Sequence, residues 1–427
     1  MEAVQMARKK RVTDEVEEII YECCCGMDVH KDDIKACLNI GGKKEVKTYS
    51  TMTDDLLAAA KWLKDNAVQM VAMESTGPYW KPVYNILESE EIPVMLVNPQ
   101  HIKNLSDPKT DVRDARWISG LLRHGLIRAS FVPERDMREL RELIKYRNSL
   151  SEESTRTLNR IDKVLQGANI KLSSVISKTG TKTELSILEA LVNGENDIQK
   201  LSALAKGTLK NKTAEITRAL NGVIGDHQRL LLKSMYNHLK VINEEMAILE
   251  TEIDKRMTKD NELIERLDEI PGVGKLTAQS IIAEIGTDME QFPDEKHLAA
   301  WAGVCPGQNE SAGKRKSGKT RKGNSHIKKT LVQAANAAAN TKNTYFSAQF
   351  KRIAARRGNK RAKVALAHTI LIICYFMIRD GVSYQELGAT YFDKRNTEGI
   401  VKRSVKRLET LGFEVTVKRK DEQKEAS

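Results

Sequence analysis

Four carboxylates lie within the first 114 residues at places where segment ends would present them: Asp28, Glu74, Asp111 and Asp114. Asp28 falls as one apolar run finishes and Glu74 as another does. Asp111 and Asp114 are three apart on a predicted helix, so both project from one face. Carboxylates gathered in one place repel one another and titrate upward. A hard divalent cation removes that penalty, and Mg²⁺ favours a few carboxylates together with substrate phosphate oxygens. Two such ions can activate an attacking oxygen and stabilise a leaving one. The chemistry within reach is cutting and rejoining of a phosphate backbone. For any one acid alone the plainer reading is a side chain facing solvent or paired with Lys109, Arg113 or Arg116.

Two further features bear on phosphate chemistry. Ser311 stands in Gln308-Asn309-Glu310-Ser311-Ala312-Gly313, followed by Lys314, Arg315, Lys316, Lys319, Arg321 and Lys322. A hydroxyl attacks phosphorus poorly unless its proton is taken and cations neutralise the pentavalent phosphorane. The neighbouring cations meet the second requirement, although a serine in a basic stretch is also what a flexible loop looks like. In Ile270-Pro271-Gly272-Val273-Gly274, the glycines Gly272 and Gly274 let backbone N–H groups and the next helix's N-terminus approach a phosphate. That is how a helix-hairpin-helix grips a duplex without reading bases; a plain helix connector has the same sequence.

The charge is local. The chain has 427 residues and a net charge of +12, yet Ser311 to Lys363 holds sixteen Lys or Arg and no acid, leaving 54 basic against 58 acidic residues elsewhere. Such a block is the footprint of a nucleic-acid contact; a solvated basic face or a patch for acidic lipid are the alternatives. No amphipathic apolar stripe accompanies its first half, which disfavours lipid. Cys23, Cys24 and Cys25 are adjacent and Cys37, Cys305 and Cys374 are scattered, so neither a disulfide framework nor a zinc site is expected. Free thiols suit a reducing cytosol. Met1 to Ile20 lacks the apolar core of a signal peptide. Val364 to Ile378 is too short for a bilayer and reads as a buried helix. A soluble, cytoplasmic, nucleoid-associated protein without membrane contact is expected.

The elements that must hold these residues are expected to form five segments: a flexible extension (1–20), an α/β domain (21–133), a helical linker (134–260) with an insertion (168–212), a compact helical domain (261–392) and a charged tail (393–427), expected to be mobile from about Lys418. In the α/β domain, strands are expected over 22–29, 34–40, 45–49, 69–73 and 92–97, and helices over 56–63, from Pro78 onward, and over 111–123. That order fits a mixed sheet covered by helices. In the linker, Met137, Leu140, Ile144, Leu158, Ile161 and Leu165 keep helical spacing, interrupted by Arg147, Ser151 and Ser154. Leu231, Met235, Leu239, Ile242, Met246, Leu249 and Ile253 run close to heptad register. The pair is either an intramolecular hairpin or a dimerisation arm.

The motifs resemble, in order, those of the DEDD transposases of the insertion sequence 110 family. Cys25-Gly26-Met27-Asp28-Val29-His30-Lys31 is similar to their opening G-x-D-x-H-K, Met73-Glu74-Ser75-Thr76-Gly77 to E-x-T-G, and Lys109-Thr110-Asp111-Val112-Arg113-Asp114-Ala115 to K-T-D-x-x-D-A. Downstream, the segments beginning at Ile270, Trp301, Ser311 and Arg321 resemble blocks of their C-terminal transposase domain. The resemblance implies a RuvC-like, RNase H-type N-terminal domain binding Mg²⁺ through the four acids, a coiled-coil connection, and a mostly α-helical C-terminal domain whose nucleophile is Ser311. It also implies a recombinase forming a serine–DNA intermediate on donor and target DNA, guided by a bridge RNA. Strand exchange between two duplexes calls for a homo-oligomer, a dimer or tetramer. The chain departs from the family's serine motif in having Ala312, and Ser317-Gly318 offers a second serine; alignment back from Gly323-Asn324 selects Ser311. Two other functions remain open: a nuclease like a Holliday-junction resolvase, which needs the acids but no serine, and a non-catalytic nucleic-acid-binding protein.

Overall fold

The computed structural model describes residues 19–75, 77–98, 111–307, 310–311, 314–315 and 317–417, with 310, 311, 314 and 315 described by backbone alone. Most of the expected N-terminal extension, Lys109, Lys316 and the tail from Lys418 lie outside the described residues. The chain divides into two compact units, Met1–Val132 and Pro133–Ser427.

The first unit is built on a five-stranded mixed sheet. Strands β1 (Cys23–Val29), β2 (Asp33–Ile40) and β3 (Lys43–Ser50) form an antiparallel meander, while β4 (Met70–Glu74) and β5 (Val94–Val97) run parallel to β1 in the order β3-β2-β1-β4-β5. Side chains alternate across the sheet. On one face Cys25, Met27, Val29, Val71 and Met73 pack with residues of α1 (Thr53–Asp65) and α2 (Trp80–Ser89). On the other, Cys24, Ala72 and Val97 pack against Ile118, Leu121 and Leu122 of α3 (Asp111–Arg123). The expected mixed sheet covered by helices is therefore present. Two boundaries differ. Helix α2 starts at Trp80, Pro78 lying in the turn before it. Strand β5 starts at Val94, because Pro93 has no N–H to donate, although its carbonyl accepts from Val71 N at 2.9 Å.

The second unit opens with two long helices, α4 (Arg135–Gly167) and α9 (Asp226–Arg256). They run antiparallel: Glu139 pairs with Arg256, Arg147 with Glu250 and Glu153 with His238, so partners descend along α9 as they rise along α4. The polar middle of the α4 seam is thus bridged by an ion pair beside the buried Leu150. The chain between them is more than a connection. It forms α5 (Leu172–Val175), α6 (Lys182–Val192), α7 (Ile198–Ala203), a 3₁₀ turn (Gly207–Lys212) and α8 (Thr213–Ala219). Ile187, Leu188, Leu191, Ile216 and Leu220 form a core there with Ile161 and Leu165 of α4 and with Leu232 and Tyr236 of α9. The buried stripe of α9 accordingly begins at Leu232 and Tyr236, where this subdomain packs, and Leu231 is 49% exposed.

The rest of this unit is helical: α10 (Asn261–Asp268), α11 (Lys275–Ile285), α12 (Glu295–Trp301), α13 (Ser325–Asn340), α14 (Tyr345–Arg357), α15 (Asn359–Asp380), α16 (Tyr391–Arg395) and α17 (Thr397–Thr410), with a two-stranded hairpin, β6 (Glu310–Ser311) and β7 (Lys314–Arg315), before α13. By length and composition α15 is long and apolar enough to cross a membrane. It exceeds the expected apolar stretch, and Leu366, Ala367, Ile370, Leu371 and Cys374 are buried. Among the described residues of the charged segment, 393–417, most lie in α16 and α17.

Candidate metal centre and serine loop

Register places the first two acids side by side. Met27 of β1 pairs with Met73 of parallel β4, so the next residues, Asp28 and Glu74, leave the ends of adjacent strands. The methionines point into the α1–α2 core, and alternation turns the acids to the α3 face. Gly26 brings α3 onto that face. A Cβ at Gly26 would lie 2.4 Å from Ser119 N and 2.5 Å from Ala115 O, so only glycine admits the helix this close. Asp111 and Asp114 occupy the first turn of that helix.

The electrostatics record the convergence. Burial pushes the Asp28 carboxyl up to about 6; His30 opposes the shift, and Asp114, Asp111 and Glu74 add to it. Asp28, His30 and Asp111 offer ligand atoms that all lie within 4.8 Å of one another, whereas Glu74 and Asp114 stand outside this trio. His30 Nδ1 lies 3.8 Å from Asp28 Oδ2. In the sequence His30 is a motif letter without a role of its own. Its signal is the two-residue spacing from Asp28, which keeps both on one side of an extended strand. Two carboxylates, one of them partly buried with its charge disfavoured, and an imidazole form a donor set that a divalent cation fits.

In the second unit, Ser311 lies on a hairpin. Its backbone pairs with Lys314, and Glu310 pairs with Arg315. Below them Gly307 N donates to Lys319 O at 2.9 Å, and Asn324 N to Trp301 O at 2.9 Å. Gly303 and Gly323 close the neck: a Cβ on Gly323 would meet Gly303 N and Trp301 O at 2.4 Å. Asn324 Oδ1 accepts from His326 N at 2.9 Å, capping α13, while Nδ2 donates to Glu284 Oε2 at 2.6 Å. Glu284 is buried beside Lys145 at 3.3 Å and Arg141 at 3.8 Å, so the loop's base is tied to α4. Lys319, Arg321 and Lys322 are exposed along the descending side.

The turn between α10 and α11 has a packing reason of its own. Gly272, at φ +88°, faces α13, where a Cβ would meet Ala334 O at 2.4 Å and Ala338 N at 2.5 Å. Gly274 precedes the first residue of α11. Of the two, Gly274 is the exposed one.

An α/β unit with carboxylates at the ends of its interior strands, followed by a helical unit with a basic hairpin, defines a two-part protein of nucleic-acid type. Family models described as "Transposase" of the DEDD insertion sequence 110 type and "Transposase IS116/IS110/IS902 family" match residues 25–170 and 264–351. The chain belongs to the IS110 transposase family. It is 27% identical over 367 residues to "Transposase for insertion sequence element IS1111A" of Coxiella burnetii, covering 84% of this chain and 90% of that one. It is 26% identical over 304 residues to "Insertion element IS110 uncharacterized 43.6 kDa protein" of Streptomyces coelicolor, covering 65% of this chain and 73% of that one. Among solved structures, T. thermophilus RuvC in complex with Holliday junction substrate is matched at a TM-score of 0.20 and 12% identity, over 25% of this chain and 99% of that one.

Proposed function

We propose that this chain is a Mg²⁺-dependent DNA recombinase with an RNase H-type, RuvC-like first unit, which moves an insertion element by cleaving and rejoining strands through a serine–DNA intermediate. The convergence of Asp28, Glu74, Asp111 and Asp114 at the C-terminal ends of the interior strands β1 and β4 carries the reading. Asp28 and Asp111 would hold the ion, with Glu74 and Asp114 completing an acidic rim. The bound ion supplies Lewis-acid neutralisation of phosphate charge. Ser311 Oγ bonds to phosphorus as one strand oxygen leaves with a proton. A hydroxyl of the partner strand then bonds to that phosphorus, and Ser311 Oγ departs and regains its proton. Phosphodiester number is conserved, so no ATP is consumed. Lys314, Arg315, Lys316, Lys319, Arg321 and Lys322 would offset the phosphorane's charge, and Gly274 would approach the backbone.

Family resemblance supports guidance by a bridge RNA pairing with donor and target DNA, and action in the cytoplasm. Exchange between two duplexes requires a dimer or tetramer, and exposed Leu231, Val241 and Ile248 on α9 suit the arm to that role. The decisive comparison is Ser311→Ala with Asp111→Asn on a DNA substrate in Mg²⁺. Loss of denaturant-resistant protein–DNA adducts in both supports recombination. Unchanged cleavage in Ser311→Ala means a resolvase-like nuclease, and unchanged activity in Asp111→Asn means a protein that only binds.

A further inference from the structure

A groove of about 660 Å³ lies between α14 and the α16–α17 segment. Lys351, Arg352 and Arg356 line it from α14 and Arg403 from α17, against one carboxylate, Asp393. Arg352 and Arg356 are four apart and share a helix face. Among the described residues none of the four cations has a carboxylate partner. Arg356 Nε meets only the Arg352 carbonyl at 3.4 Å, and Arg403 Nε the Gly399 carbonyl at 2.9 Å. Cations converging on a concavity repel one another, and an anion offsets that repulsion.

The far wall is fixed. The Phe392 ring stacks on Tyr345 at 5.1 Å and lies under the Arg352 guanidinium at 5.1 Å. Tyr384 stacks on Phe346 at 6.1 Å, and Glu386 accepts from Tyr345 N at 2.7 Å. These aromatic faces are occupied within the protein, which leaves no platform for the unpaired bases of a single strand. Cations with the amide of Asn343 are groups that hold a sugar-phosphate backbone without reading sequence. The α16–α17 wall also lies beyond the family match, which ends at residue 351.

We propose that this groove is a second DNA-binding site, holding the backbone of duplex DNA away from the serine hairpin. The proposal rests on the recombinase reading for its choice of DNA. The test uses the full-length chain in EDTA and a fluorescent duplex of random sequence, about three helical turns long, with anisotropy followed across KCl concentrations. Each lost phosphate contact lowers the log–log salt slope by about 0.9. The combined Arg352→Gln, Arg356→Gln and Arg403→Gln variant is expected to lower the slope by about two to three and weaken affinity about tenfold or more at low salt. If that variant melts below the parent, the three single substitutions are read instead, each expected to reduce the slope by about one. An unmoved slope, or weakening confined to a folded RNA probe, overturns the proposal. Asp111→Asn measured alongside separates the two readings. A lowered slope in the triple variant together with unchanged adduct formation in Asp111→Asn would keep the groove and sink the recombinase reading, whereas an unmoved slope with adducts lost in Asp111→Asn would do the reverse.

Discussion

Asp28 is held where its charge is disfavoured, so the site costs the fold stability until a cation arrives. With its carboxyl raised to about 6, the charged form destabilises the folded state. The penalty is absent below the unfolded pKa of about 4, grows as pH rises between the two values, and is complete above about 6. Asp28→Asn in metal-free buffer is therefore expected to raise the melting temperature at about pH 7.5, by about 2 kcal/mol of stability after allowance for solvent at the group's open side. The gain should vanish near about pH 4, and Mg²⁺ should stabilise the parent but not the variant. Equal melting curves at both pH values would refute the assignment. Gly26 is legible in the sequence only as a motif letter, because its role is the distance between β1 and α3. Gly26→Ala forces that helix outward and is expected to cost about 2 kcal/mol or more in denaturant unfolding, with loss of the Mg²⁺-induced thermal shift.

At the scale of elements, the strands are legible because short apolar runs lie between turn signals. The insertion is not: its helices are short, and Ser, Thr and Lys dilute the apolar residues that form its core. Heptad spacing starts the α9 seam one residue too early, since packing by that subdomain decides which face is buried there. The buried Glu284 joins Arg141 and Lys145 on α4 to Asn324 at the hairpin base. Glu284→Ala removes the buried carboxylate facing Arg141 and Lys145 while leaving Arg141 its hydrogen bond to the Ala283 carbonyl, and is expected to destabilise this unit by about 3 kcal/mol. The urea midpoint should fall with an unchanged m-value. Glu284→Gln, which keeps an acceptor for Asn324, should lose less.

For the whole molecule, the order of motifs points to the family, while the trio of Asp28, His30 and Asp111 needs coordinates because it joins a strand end to a helix start far along the chain. If the two units serve one reaction, chelation separates them. EDTA should abolish adduct formation while leaving duplex binding by the basic second unit essentially intact, as gel shift and denaturing gel on the same samples would reveal. Loss of both together would contradict a metal confined to chemistry. The glycine-to-glycine neck at Gly303 and Gly323 has a different consequence. Because both ends of the finger are pinned at its root, residues added between Gly307 and Lys319 would leave the helices beneath in place while carrying Ser311 out of its position above them.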